Sequence, residues 1–175
     1  MLGDAFNSKN LFISNLLNNQ NLLKCLYYTD NDKDILSFPD LSVKDKKKVT
    51  KENIYQYRKI PTQDDREQKT YIAIEYGDRD YGATGAKYTS NNIWYEKINM
   101  RIFIVSMCEQ DVNKYIGSRI DRIEEEIVEM FHKKDNIGSL GYCYVQDSIP
   151  LNLTARWIGR MVTLIFVNNQ SNTFN

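Results

Sequence analysis

The sequence predicts an α+β domain with a mainly antiparallel sheet of about four strands and helices packed on one face of the sheet. The chain begins with an N-terminal helix pair. The order of apolar patterns carries this prediction: helices, a strand, a long loop, a strand, a helix and two further strands. Strand-like runs are rich in β-branched and aromatic residues, whereas one segment repeats its apolar residues every three or four positions. A chain of 175 residues with 42% hydrophobic residues is long enough to bury a core.

The chain is interpreted as a single domain, 1–175, with four parts. These are N-terminal helices over 1–29, a polar, basic excursion over 30–69, an α+β core over 70–168 and a flexible tail over 169–175.

The N-terminal segment "SKNLFISNLLNNQNLLKCLYY" has two apolar stretches separated by a cluster of amides. Ser8 is suited to cap the first helix. The cluster "NNQN" interrupts the apolar pattern, so two short helices are predicted, with Asn19 or Asn21 capping the second.

The excursion contains a locally positive stretch from Lys44 to Lys59, with seven basic residues against two acidic ones. The basic residues are Lys44, Lys46, Lys47, Lys48, Lys51, Arg58 and Lys59. They form either a patch that meets an acidic partner surface or DNA, or a solvated and loosely structured segment. The second interpretation is favoured because lysine-rich loops are common.

Four segments are predicted to be strands. They are Thr70–Gly77, Ile93–Met107, Leu140–Gln146 and Arg156–Asn169. The strand from Ile93 is apolar on both parities near its end, and the last strand is apolar on both parities from Met161 to Val167, which places both inside the sheet. The intervening segment 78–92 contains glycines and has no apolar period, so a mobile loop is expected.

The long helix between the second and third strands is predicted to begin near Asp111 as N-cap and to stop at Gly138. Its apolar stripe has spacings of four, three, four and four. The stripe consists of Ile116, Ile120, Ile123, Ile127 and Phe131. Gly117 lies inside this pattern at a cost of about 1 kcal/mol relative to alanine. Four charged residues lie on the opposite face: Arg122, Glu125, Glu126 and Glu129.

Few residues are candidates for catalysis. His132, the only histidine, follows the stripe and is expected to be an exposed residue at the helix end. Cys25, Cys108 and Cys143 lie far apart and are expected to be free thiols, mostly buried, in a reducing compartment. Two thiols and one distant histidine make a weak zinc site. The sequence therefore predicts neither an enzyme nor a bound cofactor or metal.

Two segments match known functional motifs only in part. "GATGAKYTS" at 82–90 lacks the spacing of a phosphate loop and is followed by a strand. Tyr27, Tyr28, Tyr55, Tyr57, Tyr71 and Tyr76 are of the type favoured at interfaces. Among them only "YQYRK", 55–59, combines aromatic and basic residues in the manner of a platform that stacks single-stranded bases.

Composition excludes several classes of protein. Lys and Arg number 23 and Asp and Glu number 23, and a neutral chain is a poor long-range attractor of nucleic acid. No run of about 18 apolar residues predicts a membrane span, and the N-terminus has no secretion-signal pattern.

The order of elements resembles the tail terminator and tail-completion, or head–tail joining, proteins of long-tailed bacteriophages. The similarity rests on "NLLNNQNLLKCLYY", an excursion ending "KIP", the strand "INMRIFIVSM" leading into "RIDRIEEEIVEMFHKKDNIGSLGY", and the closing "ARWIGRMVTLIFVNN". It covers most of the chain, chiefly Tyr71 to Asn168, and includes no short diagnostic motif. This chain is longer than compact members through residues 30–69.

The resemblance implies a ring, usually a hexamer, that caps the tail tube and offers its other face to the head connector, with DNA only passing through the channel. It implies no catalytic residues, no cofactor and no membrane, and a location in the virion neck after synthesis in the bacterial cytoplasm. Sheet edges are expected to pair between subunits, and the charged helix face and the 78–92 loop to meet a neighbour. The expected interface residues are Tyr81, Lys87, Tyr88, Arg122, Glu125, Glu126 and Glu129.

Two other functions remain open. One is a nucleic-acid-binding module that uses Lys44 to Lys59, and it requires salt-dependent binding. The other is a small enzyme, and it requires a pocket with perturbed titratable groups.

Overall fold

A five-stranded sheet with the order β1-β2-β3-β7-β6 organises the protein. The computed structural model describes residues 10–62, 67, 69–80, 93–135 and 141–171. The strands of this sheet are β1 (Ile54–Tyr55), β2 (Thr70–Asp80), β3 (Ile93–Met107), β6 (Tyr142–Asn152) and β7 (Trp157–Ser171). All neighbours are antiparallel except β1, which runs parallel to β2. The α+β class is therefore confirmed, and β1 is a fifth strand that the sequence did not predict.

The helices are α1 (10–16), α2 (Gln20–Tyr27), α3 (Val43–Glu52), α4 (Cys108–Asp111) and α5 (Arg119–Phe131). A 3-10 turn (Ile35–Ser37) and a two-stranded ladder of β4 (Val112–Asn113) with β5 (Gly117–Ser118) complete the described elements. The predicted break between the first two helices is confirmed, and Asn19 is the cap, since its side chain accepts from the Leu22 N–H at 3.0 Å. Ser8 lies outside the described residues.

Strand β3 lies in the middle of the sheet, as predicted, and pairs with β7 over fifteen residues. One parity of β3, from Ile98 to Ile104, is buried in the main core with the helices. The other parity is buried near the end of the strand, where Phe103 and Val105 pack with Tyr71 and Trp157. Apolar residues on both parities of β3 therefore predicted its inner position in the sheet correctly.

Helix α5 begins later than predicted. Arg119 is its first residue and Ser118 is its N-cap, accepting from the Asp121 N–H. Gly117 precedes the helix with φ of 74° in the β4–β5 ladder, so it does not interrupt a helix. Asp111 lies in α4, but its Oδ1 accepts from the Ile120 N–H at 3.0 Å, so it still satisfies a donor in the first turn of α5.

Helix α5 also ends earlier than predicted, at Phe131. His132 is already extended, and Lys133 has φ of 55°. Gly138, the predicted stop, lies outside the described residues. The stripe from Ile120 to Phe131 is buried as predicted, and Phe131 stacks on Phe12 of α1 with ring centroids 4.6 Å apart.

The excursion is ordered rather than loosely structured between Val43 and Tyr55. Ser42 caps α3 by accepting from the Asp45 N–H, and its hydroxyl donates back to the Asp45 carboxylate at 2.6 Å. Val49 on the inner side of α3 is fully buried. These caps and one buried apolar contact stabilise a helix that its lysine content made look like a solvated loop.

Candidate functional site

The outer face of α5 is a surface of carboxylates partly paired with arginines. Glu125 and Glu129 are exposed, and Arg122 Nη1 contacts Glu125 Oε2 at 3.0 Å. From β7, Arg160 lies 3.0 Å from both Asp121 Oδ1 and Glu124 Oε2. Glu125 and Glu129 are therefore exposed and Arg122 is half-buried between carboxylates, and their contact with a partner stays a prediction.

Glu126 corrects that prediction, because its side chain is buried at 4% exposure. Its carboxylate accepts from Asn19 Nδ2 at 2.7 Å and Asn21 Nδ2 at 3.1 Å, and it forms an ion pair with Arg122 Nη2. Burial alone lowers the pKa of Arg122, but Glu126 and Glu125 outweigh it and raise that pKa. Glu126 thus joins α2 to α5 and is not an interface residue.

Helix α3 carries most of the predicted basic residues. Lys44, Lys47 and Lys51 are exposed, and within the described ranges none of the three forms an ion pair. Lys46 instead donates to the Leu17 carbonyl at 2.9 Å, and Lys48 lies 5.7 Å from the centre of the Tyr27 ring. The lysines of α3 whose side chains have no described partner therefore form a row of three.

Arg58 and Lys59 lie apart from that row, beyond β1, beside an aromatic cluster. Lys59 Nζ lies 3.9 Å from the centre of the Tyr55 ring, and the Tyr55 ring meets that of Tyr71 edge-on at 5.4 Å. Arg58 lies over the Phe103 ring at 5.4 Å. The seven-residue basic patch therefore divides into two surfaces.

The proposed stacking platform "YQYRK" is largely used inside the fold. Tyr71 is 1% exposed and packs against Trp157, and Tyr55 is held between Lys59 and Tyr71. Of this segment's tyrosines only Tyr57 is exposed, at 61%. A single exposed ring offers one stacking position rather than a series.

A polar row that the sequence did not reveal crosses the sheet face opposite the helices. Glu75 pairs with Arg101, Arg101 with Thr163, and Thr163 with Asp147. Arg101 Nη1 lies 3.9 Å from Glu75 Oε2, and among the described residues neither that oxygen nor Asp147 Oδ1 has a hydrogen-bond donor. A register shift between Val145 and Asp147 brings Asp147 into the row.

The residues considered for catalysis have structural contacts. His132 is half-buried rather than exposed, because its Nδ1 accepts from the Val145 N–H at 3.1 Å. All three cysteines are free, Cys108 is half-buried, and burial raises the pKa of both Cys25 and Cys143 to about 12. Within the described part of the chain, no group of three or more His, Cys, Asp or Glu side chains is placed to hold a metal.

A groove of about 540 Å³ lies between α2, α3 and the residues just before β2. Tyr27, Tyr28 and Phe38 line it together with carboxylates and lysines, so the groove has charges of both signs. No described helix is long and apolar enough to cross a membrane.

Tyr81, Lys87 and Tyr88, and the glycine-bearing motif around them, lie outside the described residues. The flanking strands reach Asp80 and start again at Ile93.

The sheet edges differ in their availability. The start of β6 is covered: Lys134 and Cys143 exchange backbone hydrogen bonds at 3.2 and 2.9 Å, and His132 accepts from Val145. Pro150 removes a donor further along that strand. On the other side β1 covers β2 only at Ile72 and Ala73, and no other described strand pairs with that edge.

Comparison with known proteins gives one family. No curated protein matches the chain. The model of the YomW family matches residues 19–166, which includes all the elements from α2 to the interior of β7. The name YomW is of phage origin, from the SPbeta phage and prophage region of Bacillus. The chain therefore belongs to the YomW family and is a phage-associated protein.

Proposed function

We propose that this protein is a structural component of the phage virion that forms a hexameric ring at the head–tail neck. The ring terminates the tail tube on one face and meets the head connector or another neck protein on the other. DNA passes through its channel, and the protein itself catalyses no reaction. It is made in the bacterial cytoplasm and ends in the virion.

The observation that carries this proposal is a two-stranded ribbon at one end of the sheet. Ile93–Glu96 of β3 pair with Asn168–Ser171 of β7, whereas the pairing of β2 stops at Lys97 and that of β6 starts at Val167. Over four residue pairs no other described strand flanks the ribbon. A two-stranded ribbon is marginally stable alone in water, so this one is suited to contact a neighbouring subunit or ring.

The phage-associated family and the open edge of β2 agree with an assembly role. Ile74 to Asp80 leave one side of β2 without a described partner strand. Pairing across such an edge joins subunits through backbone hydrogen bonds and also protects the edge from random association.

The test is the mass in solution, by light scattering on a sizing column at low and high protein concentration. A species near six times the 20.6 kDa chain mass, with a ring and central channel in negative-stain electron micrographs, is the expected result. Binding of that ring to one end of purified tail tubes tests the terminating role separately. A protein that stays monomeric at every concentration and does not bind tubes contradicts the proposal.

One observation favours the second candidate, a nucleic-acid-binding module. Lys44, Lys47 and Lys51 form an exposed row without described ion pairs. Binding through this row releases counterions, so the affinity for duplex DNA must fall steeply as salt rises. A monomer that binds DNA in this salt-dependent manner supports the module over the ring.

A further inference from the structure

Three of the four exposed lysines of α3 form one row along the helix, and the fourth, Lys48, lies near the Tyr27 ring. Lys44, Lys47 and Lys51 are separated by three and four positions, so they point to the same side, away from buried Val49. The row spans about 10 Å at 1.5 Å per residue. Helix α3 has two carboxylates against these lysines: Asp45 is already held by Ser42 and Tyr27, and Glu52 follows Lys51 at the end of the helix.

The exposed acidic residues of α5 form a second row of similar length. Asp121, Glu125 and Glu129 are each four positions apart and exposed. The row spans about 12 Å at 1.5 Å per residue. Arg122 and Arg160 contact this face, but its four carboxylates, Asp121, Glu124, Glu125 and Glu129, outnumber them, so the surface remains acidic. Glu129 forms no ion pair within the described residues.

The two rows lie on opposite flanks of the helical layer. Helix α3 contacts β1 at one edge of the sheet, and α5 contacts β3, β7 and β6 toward the other edge. Helix α2 lies between them and contacts both. The rows therefore cannot neutralise each other within one chain, although the net charge of the whole chain is zero.

We propose that the lysine row of α3 docks onto the carboxylate row of α5 in a second copy of this chain. The contact is head-to-tail, because the two surfaces are different and lie on opposite flanks. Repeated head-to-tail contacts close into a ring when the rotation between copies allows it. The proposal rests on the proposed ring function and identifies the surfaces that join its subunits.

The charges set the partner and the register more than the strength of the contact. Exposed ion pairs steer association and disfavour wrong orientations, while neighbouring contacts supply much of the affinity. Val43, 73% exposed at the start of α3, lies beside the lysine row and is suited to such a contact. Association is expected to weaken with salt, since exposed charges are screened over about 8 Å at physiological ionic strength.

Charge reversal of each row tests the inference. The first variant is Lys44→Glu/Lys47→Glu/Lys51→Glu, and the second is Glu125→Lys/Glu129→Lys. In each variant alone, like charges meet at every contact, so the concentration for half-assembly should rise roughly tenfold or more. When the two variants are mixed in equal amounts, opposite charges face each other again at every contact, and assembly should return.

The mixture also shows that both variants are folded, because misfolded chains cannot restore assembly to each other. The matched control for the lysine-row variant is Lys114→Glu/Arg156→Glu, which also lowers the net charge, at exposed positions away from both rows. This control should assemble like the wild type. Zero-length carbodiimide cross-linking of an isotopically mixed wild-type sample should join Lys47 or Lys51 to Glu125 or Glu129 between copies.

The outcomes separate the two proposals. A wild-type ring that both variants form unchanged overturns the docking of these rows and leaves the ring function standing. A wild-type chain that remains monomeric at low salt and high concentration overturns the docking, and it overturns the ring function as well if it also fails to bind tail tubes. Retention of duplex DNA by the wild type, lost only in the lysine-row variant that still assembles, assigns the row to nucleic acid and overturns the docking.

Discussion

Arg119 is the first residue of helix α5, and Arg160 of β7 contacts the outer face of the same helix. The two arginines differ in burial and in the groups that they contact. Arg119 is fully buried, and its guanidinium donates five hydrogen bonds, four of them to backbone carbonyls. Arg160 lies at the surface of β7 and contacts the carboxylates of Asp121 and Glu124. Arg119 faces neutral carbonyl dipoles, whereas Arg160 faces charges that water also solvates.

The difference separates the part of the molecule that maintains the fold from the part that can meet a partner. Arg119 joins the start of α5 to the carbonyl of Cys25 within α2, to those of Tyr28 and Asp30 after that helix, and to that of Gln110 in α4. Burial lowers the pKa of the guanidinium, and its hydrogen bonds offset that cost. The ion pairs of Arg160 are only partly buried and can exchange for pairs with another chain at a smaller cost.

The largest expected effect is from Arg119→Met. This change leaves four backbone carbonyls, two buried and two partly buried, without these donors, so the free energy of unfolding should fall by about 3–5 kcal/mol. Urea denaturation followed by circular dichroism measures it. Arg119→Lys, which keeps the charge but has fewer donors in a different geometry, should lie between the wild type and Met. A loss under about 1 kcal/mol for Arg119→Met would remove the distinction between the two arginines.

Glu126 tests the same distinction within one helix. Glu126→Ala removes an acceptor for Asn19 and Asn21 and leaves both amides without it, so we expect a loss of about 1.5–3 kcal/mol. Glu125→Ala, the matched exposed neighbour, should change the free energy of unfolding by about 0.5 kcal/mol or less. Equal losses in the two variants would contradict the buried role of Glu126.

The buried thiols give a pH-dependent test. The folded-state pKa of Cys143 is raised by burial from 9.0 to about 12, so the unfolded chain loses this proton first as pH rises. The stability from the neutral thiol is full below pH 9 and should decline between pH 9 and 12, by about 1.4 kcal/mol per pH unit.

Cys143→Ala should therefore reduce the alkaline slope of the unfolding free energy relative to wild type, measured by urea denaturation between pH 8 and about 10.5. In the native protein at pH 8, iodoacetamide should label half-buried Cys108 before Cys25 or Cys143. Rapid native labelling of Cys143 would mean that its site opens readily to water.

The smallest effect is expected from Arg160→Ala. Its ion pairs with Asp121 and Glu124 are partly exposed to water, so the loss of stability should be about 0–1 kcal/mol and should shrink further in high salt. Thermal unfolding at low and high ionic strength measures both quantities. A loss as large as that of Arg119→Met would show that exposure does not decide the contribution of an arginine here.

Local patterns predicted the elements that depend mainly on neighbours in the chain. The limits of β3 were predicted from Ile93 to Met107 without error, because β-branched and aromatic residues continue throughout that run. Asn19 was one of two predicted caps, since an amide cluster between two apolar stretches is a local signal. The buried stripe of α5 likewise follows from helical spacing alone.

Predictions that depended on contacts between elements distant in sequence were less successful. Two residues, Asp111 and Ser118, have suitable capping oxygens, and the chain path through the β4–β5 ladder brings both to the first turn of α5. The basic patch was continuous in sequence but divides in space, because β1 turns the chain away from α3 before Arg58.

The sequence by itself determined the α+β class, the inner strands and the apolar side of α5, because alternation and helical spacing state which side of each element must leave water. Tertiary structure alone decided that Glu126 is buried while Glu125 is exposed, since α2 lies across one side of α5. It also assembled the row from Glu75 to Asp147, because strand register and a bulge decide which residues become cross-strand neighbours. Sequence spacing within one strand contains no information about that register.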